Sequence, residues 1–86
     1  MNINELIKIV KSKIEAEIAI QDIQIEDKSF LHKNHKGNQE GMFHLKLIIE
    51  SEELKKLNKI ESTKKVYSAL DNELKEHIHS IQILLS

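Results

Sequence analysis

Eighty-six residues suffice for one small domain, residues 1–86, burying roughly 60% of its unfolded surface around a modest core. With 40% apolar residues, 3% aromatics and no Trp, that core must be aliphatic, and a net charge of −1 gives no global pull toward nucleic acid or anionic membrane. Cysteine is absent, which excludes disulfides, thiolate nucleophiles and zinc or iron–sulfur sites built on this chain's own thiolates. All 13 basic residues are Lys, so the bidentate guanidinium fork used on phosphate and guanine is missing. No apolar run approaches the roughly 20 residues that span a bilayer. Met1-Asn2-Ile3-Asn4-Glu5 lacks the basic and apolar regions of a signal peptide, so a cytoplasmic location without membrane contact is expected.

Ile3, Leu6, Ile7, Val10, Ile14 and Ile18 recur at helical spacing with charged residues between them. This predicts an amphipathic, core-packing helix of about four turns, capped by Asn2 or Asn4. Ile23 and Ile25 then alternate with Asp22, Gln24 and Glu26, the pattern of a half-buried strand with one wet face. Ser29–Met42 reads as a loop and holds His32, His35 and both glycines. It is long for a hairpin connection, and such loops are commonly functional. Phe43, Leu45, Leu47 and Ile49 alternate with His44, Lys46 and Glu50, while Ile48 makes the second face partly apolar. A central strand fits that pattern.

Ser51 precedes Glu52, Glu53 and Leu54 as an N-cap with an acidic first turn, opening a short helix that Asn58-Lys59-Ile60-Glu61 breaks. A second helix starts near Ser62 or just before it, with Val66, Ala69, Leu70, Leu74 and His77 on one face and Tyr67 beside it. His77 ends it, where a protonated imidazole suits the helix dipole. Ile78–Leu85 is short and rich in β-branched residues, hence a strand, with His79, Ile81, Ile83 and Leu85 of one parity. The order helix, strand, strand, short helix, helix, strand gives an α+β fold. Its three-stranded mixed sheet has a parallel crossover pair, and the helices lie on one face.

These residues resemble the BolA family over nearly the whole chain. Asp27, Ser29, His32 and His35 stand where that family has an acidic residue, a serine and two histidines before a strand. His44-Leu45 matches its His-Phe strand opening, and Ser51 its closing serine. Val66-Tyr67-Ser68-Ala69-Leu70 matches its Val-Tyr-x-x-Leu helix segment, and Ile78-His79-Ser80-Ile81 its Ile-His-Ala-Leu signature. Leu54-Lys55-Lys56-Leu57 departs from the aromatic and glycine usual in the short helix. Ser62-Thr63-Lys64 replaces the family's Arg-His-Arg, which weighs against nucleic-acid contact there. The resemblance implies a KH-like α-β-β-α-α-β fold and a monothiol glutaredoxin partner that shares a bridging [2Fe–2S] cluster. It also implies two ligands from this chain, His79 and one of His32 or His35.

Imidazole chemistry is compatible with that expectation, since two histidines can replace two cysteines on one iron of a [2Fe–2S] cluster. The plain alternative for His32 and His35 is two solvated loop histidines. For His79 it is a core-edge histidine bonded to a backbone carbonyl, which its parity with Ile81 and Ile83 favours. His44 reads as structural, or as a hydrogen-bonding partner behind a ligand. A rival function is nucleic-acid-binding transcriptional regulation through Lys55, Lys56, Lys59, Lys64 and Lys65, although the chain has no GxxG loop. Its plain alternative is a solvated lysine face. Catalysis is the least favoured class: no nucleophile motif or phosphate-cradling loop occurs, and no small-molecule substrate is expected.

Overall fold

The computed structural model describes residues 2–28 and 43–86. His32, His35 and the loop reading of their segment lie outside the described residues. Seven elements follow one another: α1 (Ile3–Glu17), β1 (Asp22–Asp27), β2 (Phe43–Glu50), α2 (Glu52–Lys55), α3 (Lys59–Ala69), α4 (Asp71–Glu76) and β3 (Ile78–Leu85). Among the described residues the strands form a three-stranded sheet in the order β1-β2-β3. β2 is central, antiparallel to β1 and parallel to β3. The α+β class and the parallel crossover pair are those expected from the sequence.

The core forms where the helical and strand periodicities meet. Leu6, Val10 and Ile14 from the first helix, with Ile18 just past its end, pack with Leu45, Leu47 and Ile49 from the central strand. Leu54, Val66, Leu70 and Ile78 complete this cluster of buried aliphatic side chains. Each such side chain contributes about 1.5–3 kcal/mol by leaving water. Asn2 caps α1: its side chain accepts the Glu5 amide at 2.9 Å and donates to the Glu5 carboxylate at 3.3 Å.

Polar groups tie the α1–β1 turn to the β2–α2 junction. Ser51 Oγ accepts the Leu54 amide at 3.2 Å and donates to the Ala19 carbonyl at 2.7 Å. The Ala19 amide donates to Glu53 at 3.2 Å, and Glu53 also pairs with Lys65. The Lys65 hydrogen bond, with help from the Ala19 amide, holds the Glu53 carboxyl below the ordinary glutamate range.

Two sequence expectations need correction. Asn58-Lys59-Ile60-Glu61 does not merely break α2. Asn58 caps α3, its side chain accepting the Glu61 amide at 2.8 Å, so the same four residues that end one helix open the next at Lys59. The single helix expected through His77 is two, because the backbone turns at Leu70 (φ −110°, ψ 17°). The buried Leu70 ends α3 by donating to the Val66 and Tyr67 carbonyls and starts α4 by accepting from Leu74. No Gly or Pro announces that turn. His77 ends α4 as expected, its amide donating to the Glu73 carbonyl.

Glu73 ties α4 to α1. It is 4% exposed, and its Oε2 accepts from Lys13 Nζ at 2.6 Å. Burial works against the charge, but the Lys13 contact and local hydrogen bonds outweigh it and hold the carboxyl below its ordinary value. A depressed folded value stabilises the fold at pH above the unfolded glutamate value, about 4.3, and the contribution is lost as pH falls through the folded value. Glu73→Gln is therefore expected to lower stability by about 1–2 kcal/mol at neutral pH. Urea denaturation of both proteins at pH 7 and pH 3 checks this, with the difference closing in acid.

Candidate functional site

The two described strands that begin side by side bring two histidines together. Phe43 pairs with Ile78, but the next residue, His44, pairs with Ser80, so His79 is the extra residue of a β-bulge. The ladder is anchored before it by the Phe43 amide on the His77 carbonyl at 2.9 Å. Beyond it, Leu45 to Ile49 pair in unbroken register with Ile81 to Leu85.

The bulge corrects the expected parity of this strand. Regular alternation would put His79 on the core side with Ile81 and Ile83. Instead Ile78 is buried, Ile81 and Ile83 pack against the core, and His79 is exposed. The inserted residue resets the alternation after Ile78, so both halves of the strand keep an isoleucine inward and the imidazole is turned out. A core-edge histidine held by a backbone carbonyl is not what forms.

His44 occupies the β2 position on the face opposite Leu45, yet it is only 4% exposed. Its Nδ1 and Ser80 Oγ share a hydrogen bond of 2.7 Å, with the proton on either atom according to the imidazole tautomer. The His44 and His79 rings lie 4.9 Å apart, centre to centre, and are tilted by 52°. A depression of about 360 Å³ opens beside them, lined by Lys28, His44 and Ser80 among others. The sequence reads His44 as structural or as a hydrogen-bonding partner behind a ligand, and it does not single out Ser80, the partner that His44 meets. The available signal was the Ser standing where the family signature has Ala.

Among the described residues His79 is the one predicted metal ligand that the structure places. Among the described residues no three metal-ligating side chains converge. His79 is an exposed imidazole that makes a ring contact with His44 and no hydrogen bond to a described residue. Its ring nitrogens are thus available to an iron, and any further ligand would come from His32 or His35 or from another protein.

The lysines of the rival reading are dispersed. Lys65 is spent on Glu53, and Lys55 reaches Glu52 only at 3.9 Å. Lys56 is exposed at the end of α2. Lys59 and Lys64 border a groove of about 680 Å³ on α3, together with the exposed Ile60 and Tyr67.

An α-β-β-α-α-α-β domain with a histidine pair at the start of its parallel strands is the BolA type of module. The chain belongs to the BolA family: a family model described as BolA-like protein matches residues 14–86. It is 30% identical over 78 residues to the DNA-binding transcriptional regulator BolA of Haemophilus influenzae, covering 91% of this chain and 73% of that protein. Its fold resembles BolA1 from Arabidopsis thaliana, with a TM-score of 0.74 at 26% identity over 90% of this chain and 85% of that one. It also resembles the BolA domain of SufE1 from the same plant, with a TM-score of 0.77 at 23% identity over 100% and 93%. Among the described residues no helix is long and apolar enough to cross a membrane.

The two histidines should differ sharply in what they do for the fold. His79→Ala, an exposed change, is expected to alter stability by no more than about 0.5 kcal/mol, and His44→Ala, a buried one, to cost about 1–3 kcal/mol. Thermal denaturation of both variants checks this and identifies His79→Ala as a clean probe of function.

Proposed function

We propose that this chain is an adaptor that pairs with a monothiol glutaredoxin and shares a bridging [2Fe–2S] cluster with it, in cluster assembly, transfer or iron sensing. His79 would supply one imidazole to one iron of the shared cluster, and either His32 or His35 would supply the other. The observation that carries this reading is the bulge, which turns His79 outward and leaves its imidazole unbonded to described residues. When bound, the cluster would provide electron-accepting and transferable iron–sulfur chemistry, with imidazole ligation raising its potential relative to thiolate ligation.

This chain's own residues have a narrower task. The paired strands hold the histidine at a fixed edge of the sheet, and the aliphatic core keeps that edge rigid. The partner supplies the thiolates that this chain lacks. On this reading the protein is an adaptor rather than an enzyme. Its working compartment is the cytoplasm.

A second reading is kept because one relative is named as a DNA-binding transcriptional regulator and because the exposed Tyr67 lines the same groove as Lys59 and Lys64. An aromatic face with flanking cations can stack on a base and neutralise phosphates. Asp71 at the end of the same groove opposes that use.

Titrating the chain into a cluster-loaded monothiol glutaredoxin separates the readings. A visible circular-dichroism change saturating near equimolar ratio is expected, altered by His79→Ala and by only one of His32→Ala or His35→Ala. No spectral change and no complex on size exclusion would overturn the cluster reading. Duplex-DNA affinity that survives physiological salt and drops in Lys59→Ala/Lys64→Ala would then favour the regulator, with a salt slope of about −0.9 per neutralised phosphate.

A further inference from the structure

We propose that Ser80 and His44 are positioning residues for His79. The inference rests on the reading of His79 as a ligand and assigns two further side chains to that site. Three observations carry it. The bulge puts Ser80, not His79, opposite His44, so a hydroxyl rather than a second ring faces that imidazole. Ser80 Oγ and His44 Nδ1 then meet at 2.7 Å, which fixes the plane of a ring that is itself buried. The fixed His44 ring lies against His79 at 4.9 Å with a 52° tilt. An exposed imidazole with no hydrogen bond to a described residue would otherwise sample its rotamers freely. Here one side of it rests against a buried, hydrogen-bonded ring.

The order of these contacts gives each residue a separate role. His44 contributes the surface, and Ser80 sets its orientation. Ser80 stands where the family signature has Ala, so the hydroxyl is a feature that this chain adds. Oriented support of a ligand ring by a hydrogen-bonded neighbour is a general way of sharpening a metal site, and loss of such support weakens it without removing a ligand. Freezing one side chain in advance spares its ordering at the moment of binding.

The test reads the metal-free protein first. In NMR spectra of the wild-type chain, cross-relaxation between the His44 and His79 ring protons is expected. Ser80→Ala should abolish or strongly weaken it while leaving the amide spectrum otherwise folded, and Ser80→Thr, which keeps the hydroxyl, should restore it. In the titration with cluster-loaded glutaredoxin, Ser80→Ala should then raise the half-saturation concentration about two- to tenfold, as expected for one side chain left to be immobilised on binding. Ser80→Thr should stay near wild type.

Unchanged ring contacts in Ser80→Ala would overturn the positioning role. So would a loss that Ser80→Thr does not recover. If the wild-type chain fails to engage the cluster at all while the ring contacts respond as described, the ligand reading falls and the Ser80–His44–His79 coupling stands as a property of the fold.

Discussion

Everything in this chain hangs on the central strand. Phe43–Glu50 is bonded on both sides, to β1 in antiparallel register and to β3 in parallel register. Its odd residues, Leu45, Leu47 and Ile49, are the floor on which the helices bury Leu6, Val10, Ile14, Leu54, Val66 and Leu70. Because a strand's side chains alternate strictly, that floor also dictates what the other face presents: His44 first, then Lys46, Ile48 and Glu50. The one irregularity in the ladder falls at the first step of the parallel pair. There the need to keep both Ile78 and Ile81 on the core side is met by a bulge, and His79 is the residue it turns outward.

The same economy explains why the site sits where it does. Parallel strands joined by helices start at the same end of the sheet, so residues far apart in sequence, His44 and Ser80, become neighbours at 2.7 Å. A ligand placed there stands on paired backbone, backed by a buried ring. Membership of the BolA family and the likeness to BolA1 agree with this arrangement at the level of fold.

Much of the fold was legible because its periodicities are clean. The 3.6-residue spacing of Leu6, Val10 and Ile14 and the two-residue spacing of Leu45, Leu47 and Ile49 each admit one reading, and both sets are buried as expected. Ser51 announced its cap by standing before two glutamates. The break at Leu70 was not legible, since a buried leucine carries no turn signal and the φ/ψ there follows from packing. Nor was the bulge. Its register shift is set by tertiary demand on Ile78 and Ile81, and a strict count of two misplaced His79 on the core side. Asn58 shows the opposite failure: a good N-cap was taken only as a helix breaker. Of the site, the family resemblance points to His79, while the residue pattern alone gives a core-edge histidine there and a structural or hydrogen-bonding role for His44. The Ser80 contact appears only once the strand register is known.

The most direct test of imidazole ligation at the bulge is nitrogen hyperfine spectroscopy on the reduced complex with a monothiol glutaredoxin, comparing the natural chain with one carrying ¹⁵N-histidine. The expected result is a strong coupling from directly bound imidazole nitrogen that changes with the isotope and is reduced in His79→Ala. A complex that forms with no histidine coupling, or with one untouched by His79→Ala, would contradict it.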